Sequence, residues 1–557
     1  MRVDAKIEGP RQSMSWLHTW ASLILGWLLY AIFLTGTLSF FQNEISVWMK
    51  PETHQSVPPI SQVEQAQVAL NYLQQHSGNA GSWAISLPNS RQTTTELSIR
   101  KQGEDPRARR GGERVTLDSA TGEVIQARET RGGGFLYRFH FELYGLDRIW
   151  ARWIVGFATL LMMVAIISGI ITHKKIFSDF FTFRSGKGQR SWLDAHNATA
   201  VFALPFHIMI TFSGLLLLMF ILMPWGINQV YESRQAFLQD QRGASTQTRD
   251  NKIHDGQKHA EKRQGRNRSE IKPAALANIQ PIITYTQAQW KTNQIASINI
   301  IAPNTNKATI EIRAAHPESL ISRNIYPSLK FDGTTGKLLA QQEEAPKTTI
   351  PMGIYNVVTV LHEARGLDTA LRWLLFLSGV IGTLMVATGL ILWCVKRAPQ
   401  QQKQGHKSFG YRLVEITNIA AIIGLPIATA AYFYANRFIP ADFVMRLNWE
   451  IRIFFIVWLF TFIYAVIRPN KKAWLELLAI ATIAYTLLPF LNFFTGGNAL
   501  WSSISNAQWM IASFDLMVWI LALIFLFIFY KVKKHKGLMN KKTKISQTVT
   551  SAQESQV

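Results

Sequence analysis

The sequence predicts a mainly α-helical polytopic membrane protein with about eight spans and two small α+β modules outside the bilayer. Several apolar runs exceed 18 residues, the length that marks a membrane-spanning helix. Basic residues cluster at alternate connections between these runs, and an arrangement of span, module and span occurs twice. We place the spans at about 16–41, 149–172, 194–223, 370–395, 412–435, 452–468, 473–493 and 512–531.

Composition and charge exclude several classes of protein. The net charge of +23 on 557 residues is explained by Lys and Arg beside the spans, where they set topology, so we expect no nucleic-acid partner. Cys394 is the only cysteine, which excludes disulfide frameworks and Cys-ligated clusters. The first span is too long for a signal-peptide core and is interpreted as an uncleaved anchor.

The basic connections predict the orientation and the domain boundaries. By the positive-inside rule both termini are cytoplasmic, the bilayer surrounds the spans, and the two long segments 42–148 and 224–369 lie outside. The predicted divisions are 1–41, 42–148, 149–223, 224–369, 370–395, the cytoplasmic loop 396–411, the four-span region 412–531 and the basic tail 532–557. An insert at 239–272 is polar and basic, and we expect it to be disordered.

Each outer segment contains a strand–turn–strand pattern preceded by a helix-like stretch. The patterns are Arg114 to Ile125 and Leu329 to Leu339, and both turn at Asp-x-x-Thr-Gly. Asp suits the first turn position, and Gly tolerates positive φ. The turn residues are Asp118 with Gly122 and Asp332 with Gly336, and the helix-like stretches are 63–76 and 281–291. One small α+β module is therefore predicted to occur twice.

The spans also repeat. When His18 is aligned with His196, Thr35–Gly36 falls on Ser213–Gly214, 18 residues downstream in both cases. That separation is ~27 Å of helix, close to a full hydrocarbon crossing. Before the second and fourth spans His140 matches His362, and further along Ser168–Gly169 matches Thr388–Gly389. Residues 1–172 and 190–395 are thus two copies of one plan, which is stronger evidence than any single motif.

The four repeat-related histidines predict a haem protein. His18 and His196 lie at the cytoplasmic ends of their helices, and His140 and His362 precede helices on the outer side. Ionisable residues in spans indicate function, and a bis-His haem needs one imidazole on each side of the macrocycle. Two six-coordinate haems stacked across the bilayer fit this pattern. The small residue–Gly pairs would allow a flat ring to approach closely.

Four further residues are secondary candidates. His207 follows His196 by 11 residues and has no repeat counterpart, because Leu29 falls there. It would either replace one ligand or form a hydrogen bond in the core. His173 lies at an interface near the inner pair. Arg152 and Arg372 stand at outer helix entries, where they would hold haem propionates or extend to the interface.

Other chemistries find less support. His362-Glu363 is not followed by a second His at zincin spacing, and no Walker, Rossmann or flavin motif occurs. The reductant of a haem protein would therefore be a quinol or a separate cytoplasmic reductase. The last four spans lack histidine. Asp515 lies near the end of one, where we interpret it as solvated.

The spans resemble the PepSY-associated transmembrane family of iron-regulated inner-membrane proteins. The resemblance rests on LHTW at His18, AHNATAVFALPFH from His196 to His207, and the GLD-x-x-x-RW-type entries, and it covers about 10–397. The hairpins that begin at Asp118 and Asp332 look like PepSY modules. One departure is AHNATA, where the family usually has a basic residue and Gly after the His.

The resemblance implies a role in bacterial iron acquisition. Similar members are haem-binding ferric-siderophore reductases that release iron in the periplasm, since Fe(II) binds these chelators less well. The matching positions are His18, His196, His140 and His362, with haem b, two per chain, as the implied cofactor. Two other functions remain open from the residues: a permease for a siderophore or iron, and a sensor whose outer modules bind a periplasmic partner.

Overall fold

A computed structural model describes most of the chain. The described residues are 9–59, 61–105, 111–173, 177, 180, 183–184, 186–232, 236, 271–323, 325–342, 349–468 and 470–535. The predicted insert at 239–272 lies outside them except for its last two residues. The predicted basic tail is described only as far as residue 535.

Helices dominate the described residues, and seven strands form one sheet. The helices that matter below are α1 (Pro10–Ile24), α2 (Gly26–Ser39), α3 (Gln42–Trp48), α4 (Gln62–Ser77), α5 (Gly133–Phe141), α6 (Arg148–Thr172), α7 (Gln189–Phe202), α8 (Leu204–Leu222), α9 (Pro224–Asn228), α10 (Ile279–Trp290), α11 (Ile350–Glu363), α12 (Thr369–Gln404), α13 (Phe409–Ile419), α14 (Leu425–Phe438), α15 (Arg446–Ile467), α16 (Asn470–Phe494), α17 (Leu500–Ser505) and α18 (Trp509–Lys534). The strands are β1 (Ser82–Ser86), β2 (Thr95–Arg100), β3 (Glu113–Leu117), β4 (Ile295–Ile301), β5 (Thr309–Ala314), β6 (Ser328–Asp332) and β7 (Leu338–Gln342).

The long apolar helices confirm a polytopic membrane protein. In the described part of the chain, seven helices are long and apolar enough to cross a membrane, and the pair α1–α2 makes up to eight. The first span is not one straight helix, because α1 and α2 meet at a 65° bend beside Leu25. The third predicted span also has a one-residue break, at Ala203 between α7 and α8. Both breaks lie seven residues after the aligned histidines, so the repeat extends to the breaks.

The two predicted modules share a single sheet. Its strand order is β3-β2-β1-β4-β5-β6-β7, and β1 pairs antiparallel with β4 with Ala84 opposite Asn299. Equivalent strands that pair antiparallel are related by a two-fold axis, as two copies of one unit require. Ile85 and Ile298 are fully buried neighbours across this junction. Helices α4 and α10 pack against the same core, as their helix-like sequences predict.

Both Asp-x-x-Thr-Gly turns form. Asp118 and Asp332 each accept backbone N–H bonds from the residues two and three positions further along the chain, and Gly122 and Gly336 have φ of 77° and 70°. The second pattern is the predicted hairpin, β6 with β7. The first is not a full hairpin, since its second arm makes only an isolated bridge at Val124 before the chain turns towards the last helices.

The last four spans, which are α13–α14, α15, α16 and α18, pack against the first repeat. Asp515 is fully buried there and accepts a bond from the Trp48 indole at 2.8 Å, so its interpretation as a solvated residue was wrong. Asn492 contacts the same carboxylate and accepts a bond from Arg437. Buried polar groups need hydrogen-bond partners. The sequence of α18 does not show that the partner of Asp515 lies on α3.

Candidate functional site

One histidine pair lies near the ends of the spans that carry the basic loops. His18 on α1 donates from Nδ1 to the carbonyl of Ala165 on α6 at 2.8 Å. His196 on α7 donates from Nδ1 to the carbonyl of Met385 on α12 at 3.0 Å. A carbonyl can only accept, so both rings carry their hydrogen on Nδ1 and keep a lone pair on Nε2. This pair is called the basic-side pair below.

The second pair lies towards the sheet and is held in the same way. His140 on α5 donates from Nδ1 to the carbonyl of Ile32 on α2 at 2.8 Å. His362 on α11 is 2.7 Å from the Ser213 hydroxyl of α8. That hydroxyl donates to the carbonyl of Met209, so it accepts from His362 Nδ1. This sheet-side pair therefore also presents two Nε2 lone pairs, the form in which imidazole binds metals.

A glycine backs each of the four imidazoles. A Cβ added to Gly36 would lie 2.6 Å from His140, and one added to Gly169 would lie 3.2 Å from His18. The corresponding distances are 3.0 Å for Gly389 to His196 and 3.5 Å for Gly214 to His362. These are the glycines of the small residue–Gly pairs in the sequence. Their first role is to admit the histidine ring, because a side chain at Gly36, Gly169 or Gly389 would crowd it.

The distances within the pairs suit a shared metal. Ring centres are 6.3 Å apart for His18 and His196, and 6.0 Å apart for His140 and His362. Two imidazoles bound through Nε2 on opposite sides of one metal ion have ring centres about 6.2 Å apart, because a metal–nitrogen bond is about 2.0 Å and each ring centre lies about 1.1 Å beyond its nitrogen. Each pair takes one histidine from each repeat, so both sites lie between the two copies.

A cavity adjoins each pair. The basic-side cavity has a volume of ≈ 430 Å³ and is lined by His18 and His196 together with Gly169 and Gly389. The sheet-side cavity has a volume of ≈ 360 Å³ and is lined by His140 and His362 with their glycines. Leu29 and Met162 line both cavities. An apolar layer therefore separates two spaces that are stacked along the helix bundle.

His207 lies at the end of the basic-side cavity that is nearer the sheet-side cavity. Its side chain is fully buried, and neither ring nitrogen has a hydrogen-bond partner in the described chain. The ring contacts Phe33 edge-to-face with centres 6.4 Å apart, and Phe33 itself lines the other cavity. The two sequence alternatives for His207, a metal ligand and a core hydrogen bond, both stay predictions. Gly382 provides space for both rings.

The remaining candidates take different positions. Arg152 lines the sheet-side cavity and forms an ion pair with Glu142. Arg372 does not line either cavity; it is buried, 3.6 Å from Glu44 and bonded to the carbonyl of Leu367. His173 lines the basic-side cavity, and its Nε2 is 3.1 Å from the Asn197 amide.

Sequence reasoning missed three cations at the basic-side cavity. Arg11, Lys396 and Arg397 all line it. From the sequence, these three residues are interpreted only as basic residues that set the orientation of the spans. Their positions relative to the histidines carried a signal, since Arg11 is seven residues before His18 and Lys396 is seven residues after Gly389, two helical turns in both cases.

The donor set favours a macrocyclic metal over a free ion. Among the described residues, no group of three or more His, Cys, Asp or Glu is placed to hold a metal ion. Two imidazoles alone satisfy a metal whose other ligands come from a planar macrocycle, as in a six-coordinate haem. Haem fits the residues present: two imidazoles with free Nε2 lone pairs at each level, glycines beside the rings and a cavity at each pair.

These features define a class of multi-pass membrane protein, in which two copies of a span–module–span unit enclose paired histidines between them. The chain belongs to the family described as the PepSY-associated TM region, whose model matches residues 15–396. The match ends near the last turn of α12 and leaves the C-terminal four-span unit outside. No curated protein matches the chain.

Proposed function

We propose that this protein is a haem-containing inner-membrane reductase, which passes electrons across the bilayer to reduce Fe(III) held by a siderophore in the periplasm. The observation that carries the proposal is the presence of two neighbouring imidazoles at each of two levels, with ring centres 6.3 and 6.0 Å apart. Haem b at each level supplies reversible one-electron chemistry when bound.

The histidine rings at both levels are held by hydrogen bonds in a form that can bind a ferric or ferrous porphyrin. The Nδ1–H bonds to Ala165, Met385 and Ile32 hold the ring orientation and the tautomer, which strengthens the Nε2 donor. The fourth ring, His362, is held in the same way by the Ser213 hydroxyl. Two histidine ligands at each level would favour electron transfer over binding of a substrate at the metal.

The direction of electron flow follows from topology. With the basic loops in the cytoplasm, the basic-side level faces the electron donor, a quinol or a cytoplasmic reductase. The sheet-side level and the seven-stranded sheet then face the periplasm, where the ferric siderophore is the acceptor. Reduction to Fe(II) weakens its binding to hard oxygen donors and releases the iron.

The test is a visible spectrum of the detergent-purified full-length protein, oxidised and then reduced with dithionite, with haem counted per chain. We expect a b-type Soret band that shifts on reduction and near two haems per chain. Single His18→Leu and His140→Leu variants should each lose about one haem, whereas His76→Leu, an exposed residue of α4, should lose none. A folded, colourless protein from haem-replete cells would refute the proposal.

A further inference from the structure

The two cavities differ in charge. Arg11, Lys396 and Arg397 line the basic-side cavity, and no carboxylate occurs among its lining residues in the described chain. The sheet-side cavity is lined by one cation, Arg152, and one anion, Glu363. The basic-side cavity therefore carries an excess of positive charge that the sheet-side cavity lacks.

The three cations come from two helices and converge on one end of the cavity. Arg11 is in the first turn of α1, and its Nε donates to the carbonyl of Thr172 at 2.6 Å, which leaves its two Nη groups as donors. Arg397 stacks over the ring of Trp393 at 3.9 Å, which holds its planar group beside the cavity. Seven residues of helix, about 10 Å, separate Arg11 from His18 and Lys396 from Gly389.

The opposite end of the same cavity is apolar apart from one imidazole. Leu29, Met162 and Leu204 line it, together with His207. An amphipathic ligand with carboxylates on one edge would therefore bind in one orientation. Its charged edge would face the cations, and its hydrocarbon edge would face His207.

We propose that Arg11, Lys396 and Arg397 hold the two carboxylates of the tetrapyrrole in the basic-side cavity and thereby orient it. The inference rests on the proposed function, since it concerns how the same site holds its cofactor. A carboxylate bound by guanidinium or ammonium forms charge-assisted hydrogen bonds, which are about twice as strong as neutral ones. The sheet-side site, where the charges are balanced by the Arg152–Glu142 and Arg323–Glu363 ion pairs, depends much less on such bonds.

The test compares haem with its dimethyl ester, which keeps the ring and removes the negative charges. The full chain is prepared without haem, in a His140→Leu/His362→Leu background that leaves only the basic-side pair. We expect haem to bind at least tenfold more tightly than the ester, and the triple change Arg11→Gln, Lys396→Gln, Arg397→Gln to abolish this difference. The readout is the dissociation constant from Soret titration, which is independent of turnover.

A matched variant controls for charge at this face of the membrane. Lys531→Gln, Lys533→Gln and Lys534→Gln remove the same charge from the last turn of α18, which does not line the cavity. This control should keep the preference for haem over the ester. Equal binding of haem and ester by the background protein would overturn this inference and leave the proposed function unaffected. So would a triple variant that keeps the preference and loses only bound anionic lipid.

Failure of the proposed function gives a different result. If neither the background protein nor the unmodified chain binds haem or its ester, the reductase proposal fails together with this inference. If the unmodified chain binds two haems and the background protein binds one without preference over the ester, only the carboxylate-binding role of the three cations is refuted.

Discussion

His18 and His196 face each other across the boundary between the two repeats, with ring centres 6.3 Å apart. Each is held by a helix of its own repeat, through Ala165 and Met385. Neither repeat alone contains a complete pair, so each site needs both copies of the unit. In the sheet, β1 of the first repeat likewise pairs with β4 of the second.

The glycine behind each imidazole should be sensitive to any side chain. In Gly169→Leu the new side chain would occupy the position of the His18 ring, because a Cβ at this glycine already lies 3.2 Å from it. We expect loss of about one haem per chain and destabilisation of about 1–3 kcal/mol from overpacking. Haem content and thermal unfolding of the purified protein measure both effects.

The control is Gly410→Leu, where no atom lies within 4 Å of an added Cβ. It should keep both haems. Full haem occupancy in Gly169→Leu would show that the His18 ring can move without losing its role.

Ser213 should affect the midpoint potential of the sheet-side haem and leave that of the basic-side haem unchanged. Its hydroxyl accepts from His362 Nδ1, whereas the hydroxyl of the repeat-equivalent Thr35 donates to the carbonyl of Ala31 and forms no hydrogen bond with a histidine of the described chain. Ser213→Ala removes an acceptor worth about 1 kcal/mol, so the sheet-side haem should become easier to reduce by on the order of 20–60 mV. Redox titration of the α-band measures the change. Thr35→Ala should leave both midpoint potentials unchanged, and an equal shift in the two variants would contradict the assignment.

Replacement of His207 by the residue of the other repeat separates its two interpretations. His207→Leu introduces the side chain found at Leu29 and removes two buried nitrogens without partners. We expect two haems per chain and a gain of about 1–3 kcal/mol in the free energy of unfolding of the haem-free protein. Denaturant unfolding and haem counting measure both. Loss of a haem would identify His207 as a ligand in place of His18 or His196.

His54 should make stability depend on pH. Burial, followed by the positive charge of Arg437, lowers the pKa of His54 to about 3. The neutral ring accepts from the Asn498 backbone N–H and donates to the Val47 carbonyl. The unfolded chain takes up a proton below pH 6.5 and the folded chain does not, so stability falls as the pH drops from 6.5 towards 3.

Between pH 6.5 and 4.5 this term amounts to about 2–3 kcal/mol. His54→Gln should flatten the pH dependence in that range, as measured by unfolding at several pH values. His76→Gln, at an exposed position of α4, should keep the slope of the unmodified protein. An unchanged slope in His54→Gln would show that another group is responsible.

Periodicity and repeats predicted much of this molecule, because their physical causes are local. The apolar runs became helices, the Asp-x-x-Thr-Gly turns formed at Asp118 and Asp332, and the four aligned histidines came together as two pairs. The surroundings predicted for Arg372 and Asp515 differ from those in the structure. Both lie near the ends of spans, where the sequence alone cannot distinguish a side chain that faces water from one that faces Glu44 or Trp48.

The sequence by itself determined that the protein spans the membrane, that its unit is duplicated, and which four histidines the repeat relates. Hydrophobic length and an internal repeat can be recognised without knowing how distant segments pack. Only the tertiary structure decided that the two modules share a sheet, that each imidazole is held against a glycine, and that three cations meet at one cavity. Such contacts depend on how distant segments pack, and their free energy appears only when both partners are brought together.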